Sequence, residues 1–559
     1  MRTFLPPAVL LVLCPVASAQ VIYVDADLTT GLNDGSTWSD AFQGPGGVQA
    51  ALAAAVSGDS VFAAQGDYLP SSTGDRGASF VLKDAVALYG GFLGGETSPD
   101  ERPPFGTAPS VLSGDLAGDD GGGLFDDNSY HVVIGNADAG ALLDGFTVRS
   151  GNANGAGANE DRGAGILCAG DVAPALRNCR FASHRCTFGG AAGHLSAGAA
   201  PSFVDCSFVD GDGAFAGGAL DLAGAGAVRF DRCLFENNTA SRGGALELFG
   251  TDDVLAVNCV FRGNTATGPF GGGAIFMNVG QNNAVRSCTI VGNSATASDW
   301  GGIHDPGAPA ETVVNCILWD NSGSDGSQGS ENQVNAGTNV QYSIVEGGYA
   351  GTGNLAGDPL FADAAAGDFS LTLASPAIDA GFNAGVPPAI LLDFAQNPRF
   401  ADEPTVPDTG AGAAPIVDIG AIESIPSPFI RSAGCSGNPL LLSGTGSTFA
   451  VGQAFGLQLD AGAFPTGLAF YFGGFDGTDG FGCGFDVPGL GELLLSLVLP
   501  SFPVGTAPMT AGASSLALAL PNDPGLAGQT FGFQAVHAPL GAPGAPIELS
   551  GLVLGTVAP

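Results

Sequence analysis

Two acidic stretches, Asp119-Asp120 and Asp126-Asp127-Asn128, lie in glycine-rich sequence. Carboxylates grouped in this way suit a hard cation such as calcium, which takes several oxygen ligands. Their spacing is not that of an EF-hand loop, and a solvated turn would carry the same residues. Acids, bases and aromatics also meet at Glu160-Asp161-Arg162, at His184-Arg185, and at Trp300 with His304-Asp305. Cleavage of an acidic polysaccharide needs paired carboxylates, or a basic residue beside a calcium-holding cluster of acids, on one face of the fold. None of these groupings meets that requirement by itself, so each is expected to be surface or loop structure. Asp252-Asp253 reads as an outward turn. Gly271-Gly272-Gly273 lacks the Lys-Ser/Thr that completes a phosphate loop, so it reads as a turn too. Calcium at Asp119, Asp120, Asp126 and Asp127 is the one cofactor expectation the residues support.

The bulk of the chain narrows the partners. Its formal net charge is −38, and Lys83 is its only lysine. A nucleic-acid partner requires a basic stripe that releases counterions, so nucleic acid is excluded. An anionic membrane surface would be repelled for the same reason. At 559 residues, with apolar residues at 45% and charged ones at 13%, the chain exceeds one ordinary core and predicts several domains or a repeat array. The first residues set the compartment: Arg2 is a positive start, Phe4 to Val12 a short apolar run, and Ala17-Ser18-Ala19 a small-x-small cleavage site. Export with cleavage after Ala19 is expected, and Cys14 is a weaker candidate for a lipid anchor because Leu13 precedes it. No later stretch reads as a transmembrane segment; Leu490 to Leu499 is interrupted by Glu492 and stopped by Pro500.

What would position any site is a repeat. Cys179, Cys206, Cys233, Cys259, Cys288 and Cys316 follow one another at steps of 27, 27, 26, 29 and 28 residues. Three residues before them stand Leu176, Phe203, Phe230, Ala256, Val285 and Val313; two residues after stand Phe181, Phe208, Phe235, Phe261, Ile290 and Leu318. Strict strand alternation would bury position −2 rather than −3. One residue must therefore bend the strand, and Asn178, Asp205, Asn258 and Asn315, just before their cysteines, tolerate the left-handed backbone that such a bend requires. Asn238, Asn264, Asn293 and Asn321 recur five residues after four of the cysteines, and glycine knots such as Gly243-Gly244-Ala245 then open another strand. About three short strands per unit, stacked unit on unit, make a right-handed parallel β-helix. The cysteines, which point the same way from adjacent coils, suit buried free thiols better than strained bridges. Cys168 and Cys186 stay unassigned.

Phe235-Glu236-Asn237-Asn238 with Gly243-Gly244-Ala245-Leu246, and Phe261 to Asn264 with Gly272-Gly273-Ala274-Ile275, resemble the paired F-x-x-N and G-G-A-[ILV] repeats of polymorphic outer membrane proteins. That resemblance covers about residues 140 to 325 and implies a surface-displayed, adhesin-like passenger. The family's passengers precede a C-terminal membrane barrel, which the remaining sequence and its Ala558-Pro559 end do not lead one to expect here. Gln49 to Val56 is a helix candidate, and with Val61 to Tyr68 resembles the capped first coil of secreted β-helix proteins, an open coil end being an unpaired sheet edge. Gly357 to Phe361, Ser375 to Gly381 and Val417 to Glu423 resemble the closing segment of bacterial β-helix repeat proteins.

From Pro426 the cysteine period stops, and alternating apolar runs separated by Pro- and Gly-rich turns predict a β-sandwich in which Cys435 and Cys483 pair. The expectation is thus an all-β chain: signal peptide 1–19, N-terminal cap and first coils 20–135, parallel β-helix repeats and closing segment 136–425, and C-terminal β-sandwich 426–559. The function expected is that of a non-catalytic secreted or cell-surface repeat protein, adhesin-like or structural, with extracellular glycans or proteins as partners and the outer membrane as a place of attachment. The rival is an extracellular polysaccharide lyase or glycoside hydrolase, an association drawn from fold alone.

Overall fold

A computed structural model describes residues 19–425, apart from 137–139 and 308–311, and beyond these only the backbone of strands. The signal peptide expected at the start lies outside the described residues, save its last. Residues 1–424 and 425–559 form two compact units.

The first unit is a right-handed parallel β-helix. Equivalent strands of successive coils pair in register, as Leu176 with Phe203, Phe203 with Phe230, and Phe230 with Ala256. Among the described residues the coils build sheets of 12, 10, six and eight strands. A coil therefore has four strands rather than about three, for instance Ala175–Arg177, Arg180–Ala182, Arg185–Cys186 and Gly193–Ser196. The extra strand is only two residues long in several coils, too short to print an alternation on the sequence.

The bend between the first two strands is left-handed at all six units: Asn178, Asp205, Arg232, Asn258, Ser287 and Asn315 have φ between 47° and 56°. Side chains on either side of it turn inward, so positions −3, 0 and +2 are all buried. Phe181, Phe208, Phe235 and Phe261 stack face to face with centroids 5.2, 4.9 and 4.5 Å apart, and Phe203 stacks on Phe230 at 5.2 Å. Each ring repeats its neighbour's environment one coil away, so the core is built as columns. In the glycine knots, a Cβ on Gly244 would lie 2.1 Å from the carbonyl oxygen of Gly273, and one on Gly218 2.1 Å from that of Gly244. The second glycine of each knot is thus required by the backbone of the next coil.

At the N-terminal end, helix Gly47–Ala54 buries Val48, Ala51 and Leu52 against the first strands, two residues earlier than the sequence suggested. The last strands of the two long sheets are Asn339–Gln341 and Ile344–Val345, beyond which Tyr349 packs against the core.

The closing segment does not stack as further coils. It folds back along the outside of the solenoid. Val386, Ile390 and Val417 cover Val257; Phe369 and Ala421 cover Val260 and Val291; Ala377, Ala380 and Ile419 cover Ile317 and Ile344. Asn258 Nδ2 donates to Leu392 O at 2.8 Å, Asn315 Nδ2 to Phe382 O at 2.9 Å, and Phe382 N to Asn315 Oδ1 at 2.8 Å. The cause is the outward surface of these coils, where valines and isoleucines replace polar residues and require cover.

In residues 425–559 eight of the described strands pair antiparallel along one sheet, in spatial order Phe429–Arg431, Leu552–Ala558, Thr530–Pro539, Thr466–Gly474, Phe502–Thr510, Ala513–Ala519, Ala454–Asp460 and Leu441–Thr445. Cys435 and Cys483, and with them the expected disulfide, lie outside the described residues.

Candidate functional site

The fourth strand of each coil alternates, with Leu220 and Leu222 inward and Asp221 outward, and likewise Leu246, Leu248 and Glu247. Register then sets one outward residue from each coil in a row: Leu167, His194, Asp221, Glu247, Phe276 and His304. His194 Nδ1 lies 2.9 Å from Asp221 Oδ2, and Arg242 Nε lies 2.6 Å from Glu247 Oε1. His194, Asp221 and Glu247 are buried although they face outward, because the preceding strands and knots fold across them. Burial, and then the Asp221 carboxylate, push Glu247 up to about 7 despite Arg242. A base, two acids and a guanidinium on consecutive coils can in principle move a proton. None of them was found by sequence reading, because partners one coil apart share neither residue type nor neighbourhood in the chain.

Over this row sits an aromatic patch. The Arg242 guanidinium carbon lies 4.4 Å from the ring centroid of Phe215 and 5.8 to 6.0 Å from those of Phe249, Phe270 and Phe276. Phe215, Phe249 and Phe270 are 39%, 45% and 50% exposed. Trp300 stacks on His304 at 3.7 Å, and His304 Nδ1 bonds the Phe270 carbonyl oxygen. Of the surface or loop places expected for them, Asp305 takes a loop and His304 the end of a strand, and both are buried; Trp300 closes over His304. Asp161 and Arg162 pair with each other at 2.8 Å, and Arg162 covers Phe188 at 4.3 Å.

His184 is likewise no surface residue. It is fully buried, its Nε2 is 3.0 Å from Val148 O, and its Nδ1 accepts from Gly151 N at 3.1 Å. Burial pushes its pKa down to about 4, so the ring is neutral. Asn238, Asn264, Asn293 and Asn321 run through the same column. Each Nδ2 donates to the preceding coil's carbonyl oxygen and to the next side chain, Asn264, Asn293, Asn321 and finally Gln333, at 2.7 to 3.0 Å. These amides are spent on the backbone and on one another. The cysteines Cys179, Cys206, Cys233, Cys259, Cys288 and Cys316 are free and buried, their Sγ atoms bonded to main-chain oxygens. Cys168 is free in the same core, and Cys186 is free in a small cluster with Ala153, Ala164 and Ala191. Burial pushes both of these thiols up to about 12, out of the reactive range.

The acidic loop gathers differently from its sequence. Asp119 and Asp120 meet Asp115, which the sequence reading omitted, with carboxylate oxygens within 4.8 Å of one another. Asp119, Asp126 and Asp127 line a cleft with Asn152 and Arg185. Asp115 accepts from the amides of Gly118, Asp119 and Asp120, Asp127 from Ala117 N, and Asp120 from Asn128 Nδ2. The loop's own donors therefore satisfy Asp115, Asp120 and Asp127, while Asp119 Oδ1 has no partner. Asp252 and Asp253 are exposed, with Asp253 in a left-handed turn.

The family model described as a right handed beta helix region matches residues 125–358, the stretch that holds the polar row, the aromatic patch and both ladders. No curated protein matches the chain closely enough to count as a relative. Among the described residues no helix is long and apolar enough to cross a membrane.

Proposed function

We propose that the chain is a non-catalytic, secreted repeat protein of the cell surface or envelope, working through binding. The observation that carries this reading is the flank at Phe215, Phe249 and Phe270. Three rings stand exposed around Arg242 while the ionisable row beneath them is sealed and paired. Exposed aromatic patches mark interaction sites on soluble proteins. Glycans and proteins outside the cell are the partners that such a surface suits. The leader at Arg2 to Ala19 and the likeness of Phe235 to Leu246 to polymorphic outer membrane repeats support display outside the cell.

The test is binding of the full chain to surface polysaccharides and to intact cells, beside a Phe215→Ala/Phe249→Ala/Phe270→Ala variant. Binding that the variant loses, with no product released, supports the reading. The second reading, a polysaccharide lyase or hydrolase, is favoured by His194, Asp221 and Glu247 on three consecutive coils. Turnover of an acidic polysaccharide, abolished in Asp221→Asn or Glu247→Gln, would replace the first reading with the second.

A further inference from the structure

The closing segment buries more negative charge than it neutralises. Asp379, Asp393, Asp418 and Glu423 are all buried, and Arg399, itself fully buried, is paired with Glu423 at 3.1 Å. Its hydrogen bond, from Nη2 at 2.6 Å, goes to the Asp418 carbonyl oxygen. Asp393, Asp418 and Glu423 thus share one guanidinium, which leaves the fourth carboxyl, Asp379, without one.

Three of the four have their oxygens occupied. Asp418 accepts from Asp379 N at 2.8 Å and Ser424 N at 2.5 Å; Asp393 accepts from Asn397 N at 2.7 Å and Glu423 N at 2.8 Å; Glu423 accepts from Asp418 N at 3.1 Å. Asp379 differs. It is wholly buried, yet neither of its carboxylate oxygens has a hydrogen-bond partner. A carboxylate oxygen of Asp379 instead lies within 4.8 Å of one from Asp402 and one from Asp408, two exposed acids. Burial, and then the carboxylates of Asp418, Asp402 and Asp408, push Asp379 up to about 7; the Glu403 amide offsets little of this. A buried carboxylate without a well-formed hydrogen bond, facing two more carboxylates, is an arrangement that a bound cation resolves.

We propose that Asp379, Asp402 and Asp408 form a calcium site that fastens the 402–410 loop to the closing segment. A cation with oxygens at ~2.3–2.6 Å reaches three carboxylates so placed, and calcium completes its shell with water on the exposed side. Magnesium holds its own waters more tightly and asks for near-ideal octahedral geometry. The loop already returns to this residue, since Thr409 N and Gly410 N donate to Asp379 O at 2.8 and 3.0 Å. The Asp115, Asp119 and Asp120 cluster carries this signature more weakly: Asp119 Oδ1 is also without a partner, but Asp119 is only half-buried, and Asp115 is filled by three amides of its own loop.

The experiment is calorimetric titration of the full, chelator-stripped chain with calcium chloride and with magnesium chloride, together with thermal midpoints in each salt. Asp402→Asn/Asp408→Asn removes two exposed ligands and leaves the buried network untouched. Asp119→Asn/Asp120→Asn is the control. The expected result is one equivalent of calcium and a calcium-dependent rise in midpoint, both lost in the first variant and kept in the second. Equal calcium binding by the wild type and Asp402→Asn/Asp408→Asn would overturn the proposal. So would loss in the control variant alone, no calcium response in any chain, or a response to magnesium only.

Discussion

The imidazole of His184 makes the two hydrogen bonds that the amide of Asn238 makes two coils later. His184 reaches Val148 O and accepts from Gly151 N; Asn238 donates to Phe208 O and accepts from Gly211 N at 2.9 and 3.0 Å. The two side chains are the same rung in different chemistry. Only the histidine titrates, so within this column only that rung responds to mild acid. Its pKa is about 4 when folded, against 6.5 unperturbed. Between those values the unfolded chain binds more protons, so this contribution is full above pH 6.5 and is lost as pH falls towards 4. The loss amounts to about 2 kcal/mol at pH 5. His184→Asn should fold and should be less destabilised than the wild type between pH 7 and 5 by that amount. Denaturant melts at the two pH values check it, and parallel losses would refute the shared rung.

Glu247 should show the opposite slope. Its pKa is about 7 when folded, above the unperturbed 4.5, so its contribution is full below 4.5 and fades as pH rises through 7. Glu247→Gln keeps the shape and removes the charge. It should gain about 2 kcal/mol on the wild type between pH 5 and 8. A difference that does not change with pH would show that Arg242 already pays the full cost of burying this carboxylate.

Cys259 is fully buried, with its Sγ 3.2 Å from Val257 O. Cys259→Ala should cost about 1 kcal/mol, since one small buried side chain replaces another. Cys259→Asp should cost ~3–5 kcal/mol by placing an unpaired charge in the core. The thermal midpoints decide, and near-equal values would place Cys259 outside the core.

Asn258 has φ 52° and also donates to Leu392 O. Asn258→Gly relieves the backbone and loses the bond, a cost of about 1 kcal/mol. Asn258→Val loses the bond and adds ~1–2 kcal/mol of left-handed strain. Both should speed proteolysis within 385–400, the valine more than the glycine. A glycine variant indistinguishable from the wild type would mean that the closing segment, which straps the outside of these coils, does not depend on this residue.

The columns were legible because they repeat a residue type at a fixed step: the six cysteines, the phenylalanines at +2, and the bend at −1. The bend held even at Arg232 and Ser287, where the residue type gave no hint, since the neighbouring coils fix the backbone. What escaped reading lacked such a column. The His184 rung is written in a different residue from its asparagines. Asp221 and Glu247 meet only through register. The path of the closing segment was present as a change in the outward positions, from Arg177 and Arg180 in an early coil to Val257 and Val260 in a later one. That change names a covered face without naming its cover. Asp379, Asp402 and Asp408 converge from a segment with no period at all.

The strap also limits how such a chain can evolve. Solenoids commonly gain or lose whole repeats, because each repeat touches only its neighbours. Here Asn258 is tied to Leu392 and Asn315 to Phe382 by one continuous piece of chain. An extra coil between them would shift one anchor from the other by a full rise of ~4.8 Å, and the strap's valines would face the wrong rungs. Duplication or deletion is therefore closed to the coils between these two anchors. The strap acts as a gauge on the number of coils beneath it.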